Sequence, residues 1–375
     1  MIKIHEQIKT SGTHNYLGCK IPVQSGINIQ FFREKLVDYH DNIICEFLEF
    51  GAPVGYEGEF VGSEFITKNH KGATDFSKEI EKYLKKEASY GAIIGPFFKN
   101  PFCCDFKISP LNTHLNTVIK KDSVERRVIL DLSYPVGNSI NDGISQEYYL
   151  GKKINVCYPN VDDLVDIIKL KGQGCLMLKK DLKRAYRQIP LCPGDMHSVG
   201  FQWKDAIFAD RVLPMWLRSS SQICQRVTSA VVFMCFKMGF MAVNYLDDFG
   251  GAEVPGRAIE AYRTVEELLL SCGLEESKEK SVEPTTKMIF LGVLFDSEKI
   301  TLEVTVERNL EISLLVESWF RKKKASLKEL QSLLGKLHFI LACVRPGRIF
   351  VSRLPIIVRL RCRRSFSCFL TTGKF

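Results

Sequence analysis

The sequence predicts an α+β protein in which antiparallel strand hairpins precede a helical C-terminal part. Three observations predict this class. Phe240 to Leu246 is mostly apolar, which is typical of a buried strand, and it leads into an Asp247-Asp248 pair. Ser220 to Met238 repeats apolar residues at helical spacing. The chain has 375 residues, 45% of them hydrophobic, which is enough to bury a sizeable core.

Charge and cysteine content indicate a class of partner and a compartment. The formal net charge of +9 favours a polyanionic partner such as nucleic acid. The thirteen cysteines lack zinc-finger spacing, and Met1 opens no secretory leader, so we expect an intracellular protein, cytoplasmic or nuclear, with reduced thiols. The longest apolar run, Ala230 to Val243, is shorter than the roughly 20 residues of a spanning helix, so we expect no membrane segment.

The N-terminal part contains helical patterns but no motif that carries chemistry. Apolar residues near helical spacing run from Asn28 to Phe50 and stop at Gly51-Ala52-Pro53. Asp75 to Tyr90 is predicted to be an amphipathic helix with a basic face.

A candidate strand pair follows between Pro110 and Asn141. Val118 to Asp122 is followed by a turn, and Arg126 to Leu132 then resumes with a β-branched core. Alternation places Arg127 and Asp131 on the same face. Basic side chains on such a flap can grip a phosphate chain, and a solvated basic hairpin is the alternative.

Asp181 is the first candidate functional residue. A short amphipathic helix over Val161 to Lys171 ends at Gly172, and a strand over Cys175 to Lys180 delivers Asp181 at its end. The basic residues that follow Asp181 suit a charged ligand, and a salt-bridged structural aspartate is the alternative.

The remaining elements are assigned from the same patterns. The predicted elements are a strand hairpin over Phe201 to Val212, a helix over Arg257 to Cys272 stopped by Gly273, strands over Ser281 to Val282 and Met288 to Phe295, helical structure from Thr305 that includes Ser326 to Val344, and a basic tail over 355–375.

The Asp247-Asp248 pair is predicted at the tip of a tight hairpin, with Gly250-Gly251 ending the strand after it. Adjacent carboxylates repel each other, and a divalent cation such as Mg²⁺ relieves this. A solvated turn is the alternative. Nucleotide-joining polymerases hold two Mg²⁺ between carboxylates on neighbouring strands, which is what Asp181 with this pair can offer.

The ordered motifs resemble the reverse transcriptases of retroelements, most closely those of DIRS-type and related long-terminal-repeat retrotransposons, over about Leu17 to Leu354. The motifs are Lys179-Lys180-Asp181-Leu182-Lys183-Arg184-Ala185-Tyr186 (motif A), Leu213-Pro214 through Gln222 (motif B), Tyr245-Leu246-Asp247-Asp248 (motif C), Lys278 to Ser281 (motif D) and Phe290-Leu291-Gly292-Val293 (motif E).

The resemblance implies a right-hand polymerase fold of fingers, palm with an antiparallel sheet, and helical thumb. It implies an N-terminal extension leading into the fingers over 1–98, fingers and palm over 99–298, thumb helices over 299–354, and the tail over 355–375. The implied activity is RNA-directed DNA polymerisation, with an RNA template, a DNA primer, deoxynucleoside triphosphates and an RNA–DNA hybrid as partners.

The resemblance also implies roles for individual residues. Two Mg²⁺ ions, or Mn²⁺ in their place, are implied at Asp181, Asp247 and Asp248 with the Leu182 carbonyl nearby. The implied substrate-binding residues are Lys120 and Arg127 at the triphosphate, Tyr186 under the sugar, Met215 where retroviral enzymes carry glutamine, and Lys280 as a proton donor to pyrophosphate.

One departure from the family pattern bears on activity. Trp216 stands where the family has a glycine that lets the backbone approach nucleotide and template. No ribonuclease H, integrase or recombinase signature follows, so we expect a fragment of a domesticated or decaying transposon. A catalytically inactive remnant that only binds nucleic acid is therefore the alternative function. A different two-metal enzyme, such as a nuclease, leaves Tyr186 and the basic hairpin unexplained.

Overall fold

The computed structural model describes residues 22–58, 67–115, 126–322, 324–341 and 343–351. It is a mixed α and β structure with several antiparallel sheets. The chain divides into two compact units. The first comprises the described residues within Met1–Tyr158, Lys180–Phe249 and Arg263–Ser281; the second comprises those within Pro159–Lys179, Gly250–Tyr262 and Val282–Phe375.

The N-terminal part forms two helical pairs. Their bounds are Ile29–Lys35 (α1), Ile44–Phe50 (α2), Lys71–Asp75 (α3) and Ser77–Ser89 (α4). The helical run predicted from Asn28 to Phe50 is therefore interrupted. Residues 37–42 read Val-Asp-Tyr-His-Asp-Asn, which are all poor helix formers, so α1 ends and α2 starts afresh.

Short strands follow, with bounds Ile93–Phe97 (β1), Leu111–Leu115 (β2), Arg126–Leu130 (β3), Tyr148–Tyr149 (β4) and Lys152–Lys153 (β5). β2 and β3 pair antiparallel, with Thr113 opposite Val128. The predicted strand over Val118 to Asp122 lies outside the described residues.

The next part of the chain largely follows the predicted elements. The bounds are Val161–Lys171 (α5), Leu176–Asp181 (β6), Gly200–Trp203 (β7), Ala206–Asp210 (β8) and Ser220–Lys237 (α6). The Asn160 side chain caps α5 and Gly172 ends it, which is why its bounds agree with the prediction. β7 and β8 form the predicted hairpin, and β1 extends it to a sheet of order β1-β8-β7.

The aspartate pair connects two strands, Ala242–Tyr245 (β9) and Asp248–Glu253 (β10), and helix Ala258–Cys272 (α7) follows. The expectation that Gly250-Gly251 ends the second strand is wrong, because β10 continues through both glycines. A Cβ added at Gly250 would lie 2.8 Å from Cε2 of Phe290. Glycine is required there by packing rather than by a turn.

The C-terminal part contains four strands and three helices within the described residues. Their bounds are Val282–Thr285 (β11), Lys287–Phe290 (β12), Val293–Asp296 (β13), Thr301–Val304 (β14), Val306–Phe320 (α8), Leu327–Ile340 (α9) and Arg348–Val351 (α10). The predicted single strand over Met288 to Phe295 is instead a hairpin. Leu291 and Gly292 both have positive φ, 48° and 76°, as a two-residue turn of type I′ requires.

Sheet order determines which strand ends are neighbours. The four-stranded sheet has the order β11-β6-β10-β9. β6, which ends at Asp181, therefore lies beside β10, which begins at Asp248.

Within the described ranges, no helix combines the length and the apolar character that crossing a membrane requires.

Candidate active site

Three carboxylates lie where β6 ends and the β9–β10 hairpin turns. Asp181 is the last residue of β6 and is 3% exposed, Asp247 lies in the turn, and Asp248 is the first residue of β10. The backbone N–H of Leu182 donates a hydrogen bond of 2.9 Å to the carbonyl of Asp247. This contact joins the end of β6 to the turn.

Burial and the neighbouring charged groups shift the pKa of Asp181. Burial raises the pKa of the Asp181 carboxyl, and the Lys280 ammonium lowers it. Asp247 and Asp248 raise it again, and the resulting pKa is about 6. Asp181 is therefore close enough to both other carboxylates for each to disfavour its ionised form.

Lys280 lies directly against Asp181. Its Nζ atom donates to both carboxylate oxygens, at 2.9 Å and 3.2 Å. Burial lowers the pKa of Lys280, but Asp181 together with Asp247 and Asp248 raises it further, so the net direction is upward. The ammonium group is thus held in its charged form beside the carboxylates.

Tyr186 belongs to the same site. It lies in a 3-10 turn over Ala185–Gln188, shortly after Asp181, and is half-buried. Burial raises the pKa of its phenol, and the nearby Cys224 and Asp247 raise it further. The ring therefore lies within electrostatic reach of the hairpin aspartate.

The arginines after Asp181 are engaged within the protein. Arg184 donates two hydrogen bonds to Glu87, at 3.0 Å and 2.9 Å. Arg187 is buried and contacts Glu87 at 2.9 Å and Asp210 at 2.6 Å. These two side chains thus hold the segment after β6 against α4 and β8. The interpretation of them as contacts for a charged ligand is corrected.

The other sequence-predicted residues lie on different elements. Arg127 is exposed on β3, opposite His114. Met215 and Trp216 lie just before α6 and are 42% and 64% exposed. Lys120 lies outside the described residues. The structure therefore groups Asp181, Asp247, Asp248, Tyr186 and Lys280. That the other predicted residues belong to the same site stays a prediction.

Trp216 has an unusual backbone conformation. Its φ is +73°, in the left-handed region that favours glycine. The Asn141 side chain fastens this loop, since its amide donates to the Trp216 carbonyl at 2.9 Å and accepts from the Arg218 N–H at 2.8 Å.

The donor set has the chemistry of a magnesium site, although its side chains do not converge in the way that a loaded site requires. Carboxylate and carbonyl oxygens are the ligands that Mg²⁺ prefers. Within the part of the chain that the structure describes, no group of three His, Cys, Asp or Glu side chains is arranged to hold a metal ion. Lys280 supplies the positive charge at Asp181 instead.

Three buried residues around the site were not singled out from the sequence. Glu87 and Asp210 hold the arginines, and Gln225 on α6 contacts the hairpin. The available signal was a row of polar residues at helical spacing on α6. Gln222, Gln225 and Thr228 follow one another at intervals of three residues, and all three are buried.

Comparison by sequence identifies no relative: no family model matches the chain, and no curated protein matches it.

Comparison by structure identifies foamy viral protease-reverse transcriptases. A form called dRH, in complex with double-stranded DNA, has a TM-score of 0.55 at 16% identity and covers 85% of this chain and 54% of its own. A complex with an RNA/DNA hybrid has a TM-score of 0.54 at 16% identity, covering 89% and 44%. A complex with double-stranded DNA has a TM-score of 0.53 at 16% identity, covering 85% and 63%.

The chain spans between 44% and 63% of the length of these structures. At this identity the similarity concerns the fold. The chain therefore has a reverse-transcriptase-like fold.

Proposed function

We propose that the chain is an RNA-directed DNA polymerase of a retrotransposon, with fingers, palm and thumb. It transfers a nucleotide from a deoxynucleoside triphosphate to the 3′-hydroxyl of a primer. The observation that carries the proposal is the hydrogen bond between Leu182 and Asp247, which joins the end of β6 to the hairpin. It places Asp181 where the neighbouring carboxylates raise its pKa.

The proposal assigns two Mg²⁺ ions, or Mn²⁺ in their place, to this site, because carboxylate and carbonyl oxygens are the ligands that these ions prefer. Asp181 and Asp247 would be the main ligands, with Asp248 and the Leu182 carbonyl in support. Carboxylates that disfavour one another's ionised forms are stabilised by a divalent cation. When bound, such ions would supply activation of the primer hydroxyl and stabilisation of the negative charge on the phosphate oxygens.

The chain's own residues supply positioning and a proton. The half-buried ring of Tyr186 would lie under the incoming sugar and exclude a ribose 2′-hydroxyl. Lys280, whose ammonium group lies against Asp181, would donate a proton from Nζ to the leaving pyrophosphate. Arg127 and Lys120 would bind the triphosphate, where the arginine offers a two-pronged contact to phosphate oxygens.

The proposed partners are an RNA template, a DNA primer and the hybrid duplex they form. The net charge of +9 supports a polyanionic partner. The structurally similar foamy viral proteins were solved with double-stranded DNA and with an RNA/DNA hybrid, which supports the same class of partner here.

A second candidate is a nucleic-acid-binding protein that no longer polymerises. Two observations favour it. Lys280 contacts both oxygens of Asp181, where the proposed function requires a metal. Trp216 adopts a conformation that favours glycine, at the position where the family has one.

Primer extension on an RNA template with Mg²⁺ separates the two candidates. The proteins compared are this chain, Asp247→Asn and Trp216→Gly. We expect extension by the unmodified chain and none by Asp247→Asn, because the variant lacks a main metal ligand. Extension only by Trp216→Gly would identify a polymerase fold disabled at one position. No extension by any of them, with duplex binding intact, would overturn the proposal in favour of the second candidate.

A further inference from the structure

The turn that carries the two hairpin aspartates is contacted by a buried side chain of α6, Gln225. Gln225 lies on α6 and is 0% exposed. Its Oε1 accepts a hydrogen bond of 2.8 Å from the backbone N–H of Leu246. Its Nε2 donates one of 3.0 Å to the backbone carbonyl of Asn244. One amide thus engages the backbone on both sides of Tyr245.

The two backbone partners determine the orientation of the Gln225 amide. A backbone N–H can only donate and a carbonyl can only accept, so Oε1 must face Leu246 and Nε2 must face Asn244. A methionine has nearly the same shape but can form neither contact well. A glutamine at position 225 is therefore specific to this geometry and does more than fill space.

The residue that Gln225 holds is in an unfavourable conformation. Leu246 has a φ of +55°, in the left-handed region that non-glycine residues rarely adopt. Asp247 follows directly. If Leu246 relaxed to negative φ, the turn would change shape and the two carboxylates would move relative to Asp181. Such strain persists only where the surroundings enforce it.

A second set of contacts keeps the neighbouring strand against α6. The Asn244 side chain, which is buried, donates to Oγ1 of Thr228 at 2.7 Å and to Oγ of Ser229 at 3.4 Å. Nε2 of Gln225 also contacts Oγ of Ser229 at 3.3 Å. These contacts reach the end of β9, whereas only Gln225 among them reaches the backbone of the turn.

We infer that Gln225 is a positioning residue that holds Leu246 in its left-handed conformation and thereby sets the placement of Asp247 and Asp248. The claim that this placement serves metal binding rests on the proposed function. The claim that Gln225 holds the turn is independent of the proposed function.

The first test is Gln225→Met with two readouts that do not depend on polymerisation. We expect the Leu246 amide, followed in protein labelled with ¹⁵N-leucine, to exchange with solvent roughly fivefold faster or more, because its hydrogen bond is lost. We expect Mn²⁺ binding, measured by electron paramagnetic resonance on the full chain, to weaken by about tenfold or more. Substitution of residues that orient metal ligands has effects of this size in other proteins.

Two controls separate positioning from general destabilisation. Gln202→Met makes the same substitution on β7, where the side-chain amide donates to the Lys204 carbonyl at 2.9 Å. Met234→Ala opens space in α6, where Met234 is 1% exposed and its Sδ lies 3.9 Å from Sγ of Cys272. Both should retain the Leu246 exchange rate and the Mn²⁺ affinity, even where Met234→Ala lowers the melting temperature.

A third variant tests the role of backbone strain. Leu246→Gly removes the penalty for positive φ, so the turn no longer needs Gln225 to the same extent. We expect the double variant Gln225→Met, Leu246→Gly to bind Mn²⁺ more tightly than Gln225→Met alone. If the two substitutions acted independently, the change in Mn²⁺ binding free energy of the double variant would equal the sum of the two single changes.

The inference is overturned if Gln225→Met leaves the Leu246 amide at its wild-type exchange rate, or if Met234→Ala accelerates that exchange equally. Failure of the proposed function has a different signature. The unmodified chain would then neither bind Mn²⁺ nor extend a primer, and the exchange comparison would still decide whether Gln225 holds the turn.

Discussion

Trp216 combines a left-handed backbone with an exposed side chain. Its φ is +73° and it is 64% exposed, so the indole gains little from burial that would offset the backbone strain. A non-glycine residue in this conformation costs about 1–2 kcal/mol. The resemblance to reverse transcriptases implied a glycine at position 216, and the positive φ found there supplies a conformational reason for that expectation.

We therefore predict that Trp216→Gly increases the free energy of unfolding by about 1 kcal/mol. Chemical denaturation followed by circular dichroism measures it. Met215→Gly is the matched control, since Met215 is the adjacent residue and is 42% exposed without a positive φ. It should be neutral or destabilising, and a loss of stability in Trp216→Gly would contradict the strain argument.

Asp181 should destabilise the metal-free fold when it is ionised. Its pKa is about 6 in the folded chain against 3.8 as the ordinary value. Between these values the folded chain binds more protons than the unfolded chain, so stability falls as pH rises from about 4 to about 6. The penalty still grows above pH 6, where the last of Asp181 ionises, and it is nearly complete at about pH 7.

Accordingly, Asp181→Asn should stabilise the protein at pH 7 in the presence of a chelator, by about 2 kcal/mol. The gain should shrink as the pH is lowered towards 4, where Asp181 is protonated. Denaturation at several pH values measures both effects. Asp166→Asn, at a side chain that is 72% exposed on α5, should change little at any pH. An equal gain in the free energy of unfolding at pH 4 and pH 7 would contradict the raised pKa of Asp181.

At the level of elements, β10 shows how a strand accommodates a glycine pair. Gly250 lies in the strand where a Cβ would approach Cε2 of Phe290 to 2.8 Å, and Phe290 is fully buried. A rigid, buried ring cannot move aside as a flexible surface side chain would. Strand β10 therefore depends on this glycine for its packing.

We predict that Gly250→Ala lowers the free energy of unfolding by about 1–3 kcal/mol, as overpacking does elsewhere. Gly256→Ala is the matched control, because a Cβ there meets nothing within 4 Å and its φ is not positive. That change should be neutral or slightly stabilising. Equal effects of the two substitutions in a urea titration would rule out the packing explanation.

For the whole molecule, the net charge of +9 bears on binding rather than on folding. Lysine and arginine side chains that contact phosphates release counterions, so affinity falls with salt concentration. We predict that the affinity for an RNA–DNA hybrid falls by roughly 10³-fold between about 50 and 200 mM salt.

Fluorescence anisotropy with a labelled hybrid measures this dependence. Asp247→Asn serves as the control, because the salt slope counts phosphate contacts made by cations and this variant removes none of them. An affinity that does not change with salt would contradict a phosphate-based interface.

Elements with strong local signals could be predicted from the sequence. Helix α5 has the predicted bounds, because its capping residue Asn160 and the terminating Gly172 are adjacent to it in the chain. The β9–β10 hairpin follows from an apolar run and an aspartate pair. The β12–β13 hairpin was missed because Leu291 in a left-handed turn has no signal in residue type.

The sequence by itself determined the class of the fold and the carboxylates of the candidate site, since both depend on residue order and periodicity. Only the tertiary structure decided which polar groups meet. Lys280 on Asp181, Arg187 between Glu87 and Asp210, and Gln225 on the hairpin all join distant parts of the chain. The physical reason is that partners of buried polar groups are chosen by packing, which brings together residues that no local pattern relates.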